Sequence, residues 1–143
     1  MDIQKIISLV TKTQGLIKNR EMASHVKEKG LADYVTQVDI AVQNFLKKEL
    51  FALAPDIQFL GEETGLQEMK AESFWILDPV DGTTNLMHDY QHSVVSLALC
   101  RQGEIVMGIV YDPFREEVFS AIKGKGSFLN GQPIHVKKKK KLS

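Results

Sequence analysis

Two aspartates three residues apart, Asp78 and Asp81, stand in "WILDPVDGTTN" at the end of an apolar run, with a proline between them and a glycine and two threonines behind. Carboxylates placed this close repel each other unless a cation lies between them. A hard divalent ion with oxygen ligands, Mg²⁺ above all, answers that need. Gly82 adds backbone with no side chain to hinder a ligand's approach. Thr83 and Thr84 are helix N-cap types, and "TTNLMHDY" can open a short helix whose free N–H groups would face a phosphate. Acids for metal beside amides for phosphate point to metal-assisted phosphoryl chemistry. A second acid pair, Glu62 and Glu63 in "FLGEETG", follows another short apolar stretch, and a third stretch, "DYVTQVD", sets Asp33 and Asp39 around Thr36.

Each group has a plainer reading. "DPVDG" by itself is ordinary turn chemistry. Glu62 and Glu63 alone would be a solvated loop, and Thr36 followed by Asp39 before an apolar stripe is a capping-box pattern. The metal reading rests on the combination. His88 and His92 stand four apart, a spacing that can hold zinc, but no third soft ligand is placed to complete a site. Lys123–Gly126, "KGKG", reads as a charged hairpin turn rather than a phosphate loop. The five lysines at 137–141 read as a solvated edge or linker.

The elements that must carry these residues follow from periodicity. Ile3, Ile6, Ile7, Val10 and Ile17 predict an amphipathic first helix, "VKEKGLADYVTQVD" contains a loop, and Val38, Ala41, Val42, Phe45 and Leu46 predict a second helix ended by Ala54-Pro55-Asp56. Beyond residue 56 the period shortens. "IQFLG" and "SFWILD" are strand candidates, with Asp78 at the end of its strand and Pro79 turning the chain. "SVVSLALCR" and "EIVMGIVYD" form a hairpin about Gln102-Gly103, and "EEVFSAIK" and the segments flanking "GKG" and "NGQ" continue the meander. The expected class is α+β, with N-terminal helices packed on a mostly antiparallel sheet. Val94 to Arg101 are largely apolar on both alternations, as in a strand covered on both sides.

Composition bounds the rest. With 143 residues, 18 acidic and 18 basic side chains, 43% hydrophobic and 25% charged residues, the chain is that of a globular domain with no global field toward nucleic acid or membrane. The single cysteine, Cys100, lies in an apolar run and reads as a buried thiol in a reducing compartment. No signal peptide and no membrane-spanning run is seen, and a cytoplasmic location is expected.

"FLGEETG", "WILDPVDGTTN" and "DYVTQVD", in this combination, resemble the inositol monophosphatase family of the lithium-sensitive, magnesium-dependent sugar phosphatases; "GIVYDP" and "GKGSFLNGQPI" extend the similarity nearly end to end. The resemblance implies the N-terminal part of a layered α-β-α-β-α fold, so that residues 1–143 form a metal- and phosphate-binding domain whose C-terminal companion is absent from this chain. It implies that Glu62, Asp78 and the carbonyl of Val80 hold one Mg²⁺, and that Asp78 and Asp81 help hold a second, with two or three ions in all. The phosphate-binding stretch it implies is Val80, Asp81, Gly82 and Thr83, with backbone N–H groups from Gly82 and Thr83. Thr83, supported by Asp39 or Glu62, would activate the attacking water. Glu63 and a loop lysine, Lys29 or Lys27, are further candidates.

The expected reaction is hydrolysis of a phosphate monoester, inositol monophosphate first, by in-line attack of metal-activated water without a covalent phosphoenzyme. The expected partners are a small phosphorylated polyol or sugar and a second copy of the chain, with no membrane. Alternatives are fructose bisphosphate, nucleotide 3′-phosphate or histidinol phosphate as substrate, or a non-catalytic role in association with the transcription machinery. Three departures from the family pattern stand out: Leu86 in place of an aromatic, Gln91 in place of a proline, and no match to a second-domain W-D-x-A-A-G-like motif before the chain ends at "VKKKKKLS".

Overall fold

The computed structural model describes residues 2–24, 26–28, 34–60, 73–81 and 92–134. The chain begins with α1 (Ile3–Thr11), whose N-cap Asp2 accepts the Gln4 N–H at 2.9 Å. The single first helix expected through Ile17 is instead interrupted. Lys12 and Thr13 end α1, α2 (Gln14–Ile17) restarts, and α3 (Arg20–Ser24) follows. The buried Thr13 hydroxyl donates to the Val10 carbonyl at 2.6 Å and so satisfies a helix-end acceptor. Ile17 lies seven residues after Val10, two helical turns, so it falls on the same face despite the break. Both are fully buried.

The stretch expected as a loop before the second helix holds a short antiparallel pair, β1 (Val26–Glu28) and β2 (Tyr34–Thr36), with Val26 opposite Thr36. From Thr36 the chain passes directly into α4 (Gln37–Leu53). Val38, Val42, Leu46 and Leu50 recur every four residues and are fully buried, each worth about 1.5–3 kcal/mol relative to exposure. Ala54 is extended (φ −145°, ψ 79°), as a residue before proline must be, and α4 stops there as the sequence predicts.

Among the described residues the remaining strands make one sheet in the order β3 (Gln58–Phe59), β4 (Ser73–Asp81), β5 (Val94–Arg101), β6 (Glu104–Asp112), β7 (Glu117–Ile122), β8 (Gly126–Leu129) and β9 (Gln132–Ile134). Every pairing is antiparallel except β3 with β4. Gln102 (φ 53°) and Gly103 (φ 80°) both take the left-handed conformation that a tight two-residue hairpin needs. The turns at Lys123–Lys125 and at Asn130-Gly131 also fall where the sequence marks them, with "KGKG" a hairpin turn. The α+β class and the mostly antiparallel sheet are as expected.

The helices cover one face of the sheet. Val95, Leu97 and Leu99 of β5 and Met107, Ile109 and Tyr111 of β6 share a core with Ile6, Val10, Val42 and Leu46. The opposite face carries Ser96, Ala98, Gly108, Phe119 and Ala121 in a shallow groove of about 340 Å³. There Val110 and Phe119 remain 38% and 40% exposed. Cys100 is a free, buried thiol. Among the described residues no helix is long and apolar enough to cross a membrane. The lysines at 137–141 lie outside the described residues.

Candidate metal and phosphate site

The acid pair is built by an irregularity in β4. The strand does not end at Asp78, as the sequence reading expects. Asp78 pairs with Ser96, and pairing resumes at Asp81 with Val94. Three steps on β4 therefore match two on β5, a β-bulge with one extra residue. The bulge explains how Pro79 is tolerated: its missing N–H falls where the ladder is already broken. Val80 is buried in the core and pins the bulge, while Asp78 and Asp81 on either side reach solvent. One turn of local distortion thus presents both carboxylates at the sheet's rim.

Asp78 sits among charges of its own sign. Asp78 is held above the usual carboxylate range, first by partial burial, then by the charge of Asp81, then by that of Asp39. A backbone hydrogen bond from Val80 acts in the opposite direction and is outweighed. By surface area Asp78 is exposed, whereas burial heads the causes of its shift. The two agree if the carboxylate tip meets water while protein crowds its other side, and the upward direction then follows from both crowding and repulsion.

Asp39 reaches this neighbourhood from the start of α4. It occupies the third helical position, and Thr36 is the N-cap. The Thr36 backbone N–H donates to Asp39 Oδ2 at 3.0 Å, its hydroxyl donates to the same oxygen at 2.7 Å, and the Asp39 N–H donates back to Thr36 Oγ1 at 3.3 Å. The capping box read from the sequence is therefore present, and Asp39 also contributes negative potential at Asp78.

Among the described residues, then, Asp78, Val80 and Asp81 are brought together and Asp39 acts on them through its charge. No three His, Cys, Asp or Glu side chains among these residues close into a group that could hold an ion. Glu62, Glu63, Gly82, Thr83, Lys29, Asp33 and His88 lie outside the described residues. Lys27 is in β1, opposite Val35. The donors in place, two carboxylates and peptide oxygen, suit a hard divalent ion such as Mg²⁺.

One group at the same rim escapes the sequence reading. Asp112, at the end of β6, accepts the Phe114 and Arg115 N–H groups at 3.0 and 3.1 Å and pairs with Arg115 Nη1 at 2.9 Å. Arg115 Nη2 lies 3.3 Å from His92 Nδ1. The signal was the Asp-Pro-x-Arg spacing in "DPFR", legible as a turn but not as an ion pair.

The chain matches the profile of the Inositol monophosphatase family over residues 2–143. It is 42% identical to inositol monophosphatase 3 of Solanum lycopersicum over 122 residues, 82% of this chain and 46% of that protein. Its fold is similar to that of a crystal structure of extragenic suppressor protein suhB from Bartonella henselae, with a TM-score of 0.83 and 33% identity, covering 96% of this chain and 55% of that one. It is similar also to an IMPase/NADP phosphatase solved with Mg²⁺ and phosphate, with a TM-score of 0.79 and 30% identity over 92% of this chain and 51% of that one. The chain spans about half the length of the relatives it matches. A match along nearly the whole chain, from residue 2 to residue 143, has one reading: the chain belongs to the inositol monophosphatase family.

Proposed function

We propose that the protein is a Mg²⁺-dependent phosphate monoester hydrolase, acting on a small phosphorylated polyol or sugar with inositol monophosphate as first candidate. The observation that carries this reading is the gathering of negative charge near the end of β4, where Asp78 feels the charges of Asp81 and Asp39. Such a cluster is stable in use only when a cation neutralises it. Relatives named inositol monophosphatase, and a similar structure solved with Mg²⁺ and phosphate, support the same chemistry.

In this reading Glu62, Asp78 and the Val80 carbonyl hold one ion, and Asp78 with Asp81 help hold another. Bound Mg²⁺ would supply charge stabilisation and lower the proton affinity of water. β3 and β4 run parallel, with Phe59 opposite Trp75. Gly82 and Thr83 would offer backbone N–H groups to the phosphate. The Thr83 hydroxyl, supported by Asp39 or Glu62, orients the attacking water and takes part in moving its proton. Glu63 and Lys29 are outer candidates. Residues 1–143 are then the metal- and phosphate-binding part of an architecture that in the relatives is about twice as long.

The test is phosphate release from inositol monophosphate by the intact protein, with and without Mg²⁺. Mg²⁺-dependent turnover supports the reading, and absence of release across phosphorylated polyols and sugars overturns it. A homodimer, inhibition by lithium and a cytoplasmic location belong to the same proposal. They are checked by sedimentation, by Li⁺ titration of activity and by cell fractionation.

A further inference from the structure

We propose that Asn130 is a deamidation site gated by the β8–β9 hairpin: the closed turn holds its side chain inert, and opening the hairpin releases it to react. Asn130 continues a strand ladder with its side chain. Its backbone N–H donates to the Val118 carbonyl at 2.8 Å, and its Oδ1 accepts the Val118 N–H at 2.7 Å. In an antiparallel ladder a hydrogen-bonded pair exchanges two main-chain bonds. Here the carboxamide oxygen replaces one main-chain carbonyl and carries the β7–β8 ladder one residue beyond the pair of Phe119 and Leu129. The main chain itself has turned away. Asn130 has φ 49° and Gly131 has φ 81°, the left-handed residues of a tight turn between Leu129 and Gln132.

Asparagine before glycine is prone to ring closure, because glycine has no side chain to hinder attack by its nitrogen. The Gly131 nitrogen bonds to Asn130 Cγ, the bond from Cγ to the side-chain nitrogen breaks, and ammonia leaves with the Gly131 proton. Solvent water then opens the cyclic imide. Attack at Cγ gives aspartate; attack at the main-chain carbonyl carbon gives isoaspartate, whose backbone is longer by one carbon. Two features of the closed turn oppose the first step. The Val118 N–H ties Oδ1 to β7, and the left-handed backbone of Asn130 must rotate before the Gly131 nitrogen meets Cγ. Both are released when the hairpin opens. β9 is three residues long, lies at the outer edge of the sheet and is exposed throughout. Such an edge opens locally, at lower free energy than the core. The products then part. Aspartate keeps an oxygen for the Val118 N–H, and the turn recloses. Isoaspartate lengthens a turn that sets the register of Leu129 with Gln132, so the hairpin does not re-form in that register. The covalent chain thereby records that its edge has opened.

The test is peptide mapping by mass spectrometry of the intact protein held in mildly alkaline buffer, where conversion at Asn130 adds about 1 Da. Folded protein should convert at least about tenfold more slowly than protein unfolded in urea. Both main-chain groups of Val118 face Asn130, so Val118→Pro removes the guarding N–H without taking a bond from β6. Its folded-state rate should rise most of the way to the unfolded one. Equal rates for folded and unfolded wild type, or a Val118→Pro rate no higher than that of wild type, overturn the proposal. Should Val118→Pro fail to fold, urea below the global transition decides. A wild-type rate that climbs there supports local opening, and one that climbs only with global unfolding overturns it. Hydrogen exchange reads the guarding bond directly. The Val118 N–H should be protected in wild type and in Asn130→Asp, and should exchange faster in Asn130→Ala; equal protection in Asn130→Ala sinks the ladder role of the side chain.

Discussion

Asp112, the last residue of β6, and Asp78, at the bulge near the end of β4, lie toward the same rim of the sheet, and their surroundings are opposite. Asp112 is nearly buried, caps its turn through two backbone N–H groups and faces the Arg115 guanidinium. Asp78 has the Val80 hydrogen bond, but the charged groups that shift it are Asp81 and Asp39, both of its own sign. An acid kept for structure is neutralised where it stands, because a buried charge without a partner is costly. The difference separates an acid that builds the turn from the acids that the proposed function assigns to a cation.

The sharpest way to break this comparison is to remove the charge at each place. Asp78→Asn in the intact protein should reduce phosphate release by about 10³-fold or more, since a bound ion contributes several kcal/mol. Its metal-free melting temperature should hold or rise as repulsion is relieved. Near-normal turnover, or collapse of the metal-free fold, would contradict the assignment. Adding the ion back sharpens the contrast from the other side. Mg²⁺ at about 100 times its dissociation constant should stabilise the wild-type protein by about 2.7 kcal/mol, and Asp78→Asn by much less, read by thermal denaturation.

Asp112→Ala should behave in the reverse sense. It strands two N–H donors and removes an ion pair, so about 1–3 kcal/mol of stability should be lost in urea unfolding while kcat stays near the wild-type value. Loss of turnover at full stability would instead place Asp112 in the site. The smallest effect is in pH. A carboxyl whose folded value is raised binds its proton more tightly in the folded state. Its stabilising contribution is full below the unfolded carboxylate value and is lost as pH rises through the raised value. The metal-free protein should therefore lose this contribution on the alkaline side of the carboxylate range. Asp78→Asn should flatten that part of the profile, and saturating Mg²⁺ should reverse its slope. An identical profile in wild type and variant would show that Asp78 is not the group responsible.

Much of the site was legible because its parts are local. The Asp78–Asp81 spacing, the Thr36–Asp39 cap and the stop at Pro55 each span fewer than five residues, and each follows from backbone chemistry that neighbours alone impose. The two apolar alternations of β5 were likewise readable. One of them is the buried core row Val95, Leu97 and Leu99. The other, Ser96 and Ala98, lines an open groove, a distinction that residue type alone does not make.

Sequence by itself determined where α4 begins and ends, where the hairpin at Gln102-Gly103 turns, and that acids would gather after an apolar strand, since capping, proline geometry and left-handed turns depend on nearby atoms alone. Only the tertiary structure decided that the first helix breaks at Lys12–Thr13, that β4 continues past Pro79 through a bulge, that β3 joins it in parallel, and that the charge of Asp39 is felt at Asp78. The last of these joins residues 39 positions apart in the chain. Contacts across such separations are selected by which faces can be buried together and in what register, a condition on the whole sheet and its helices that no short window of sequence contains.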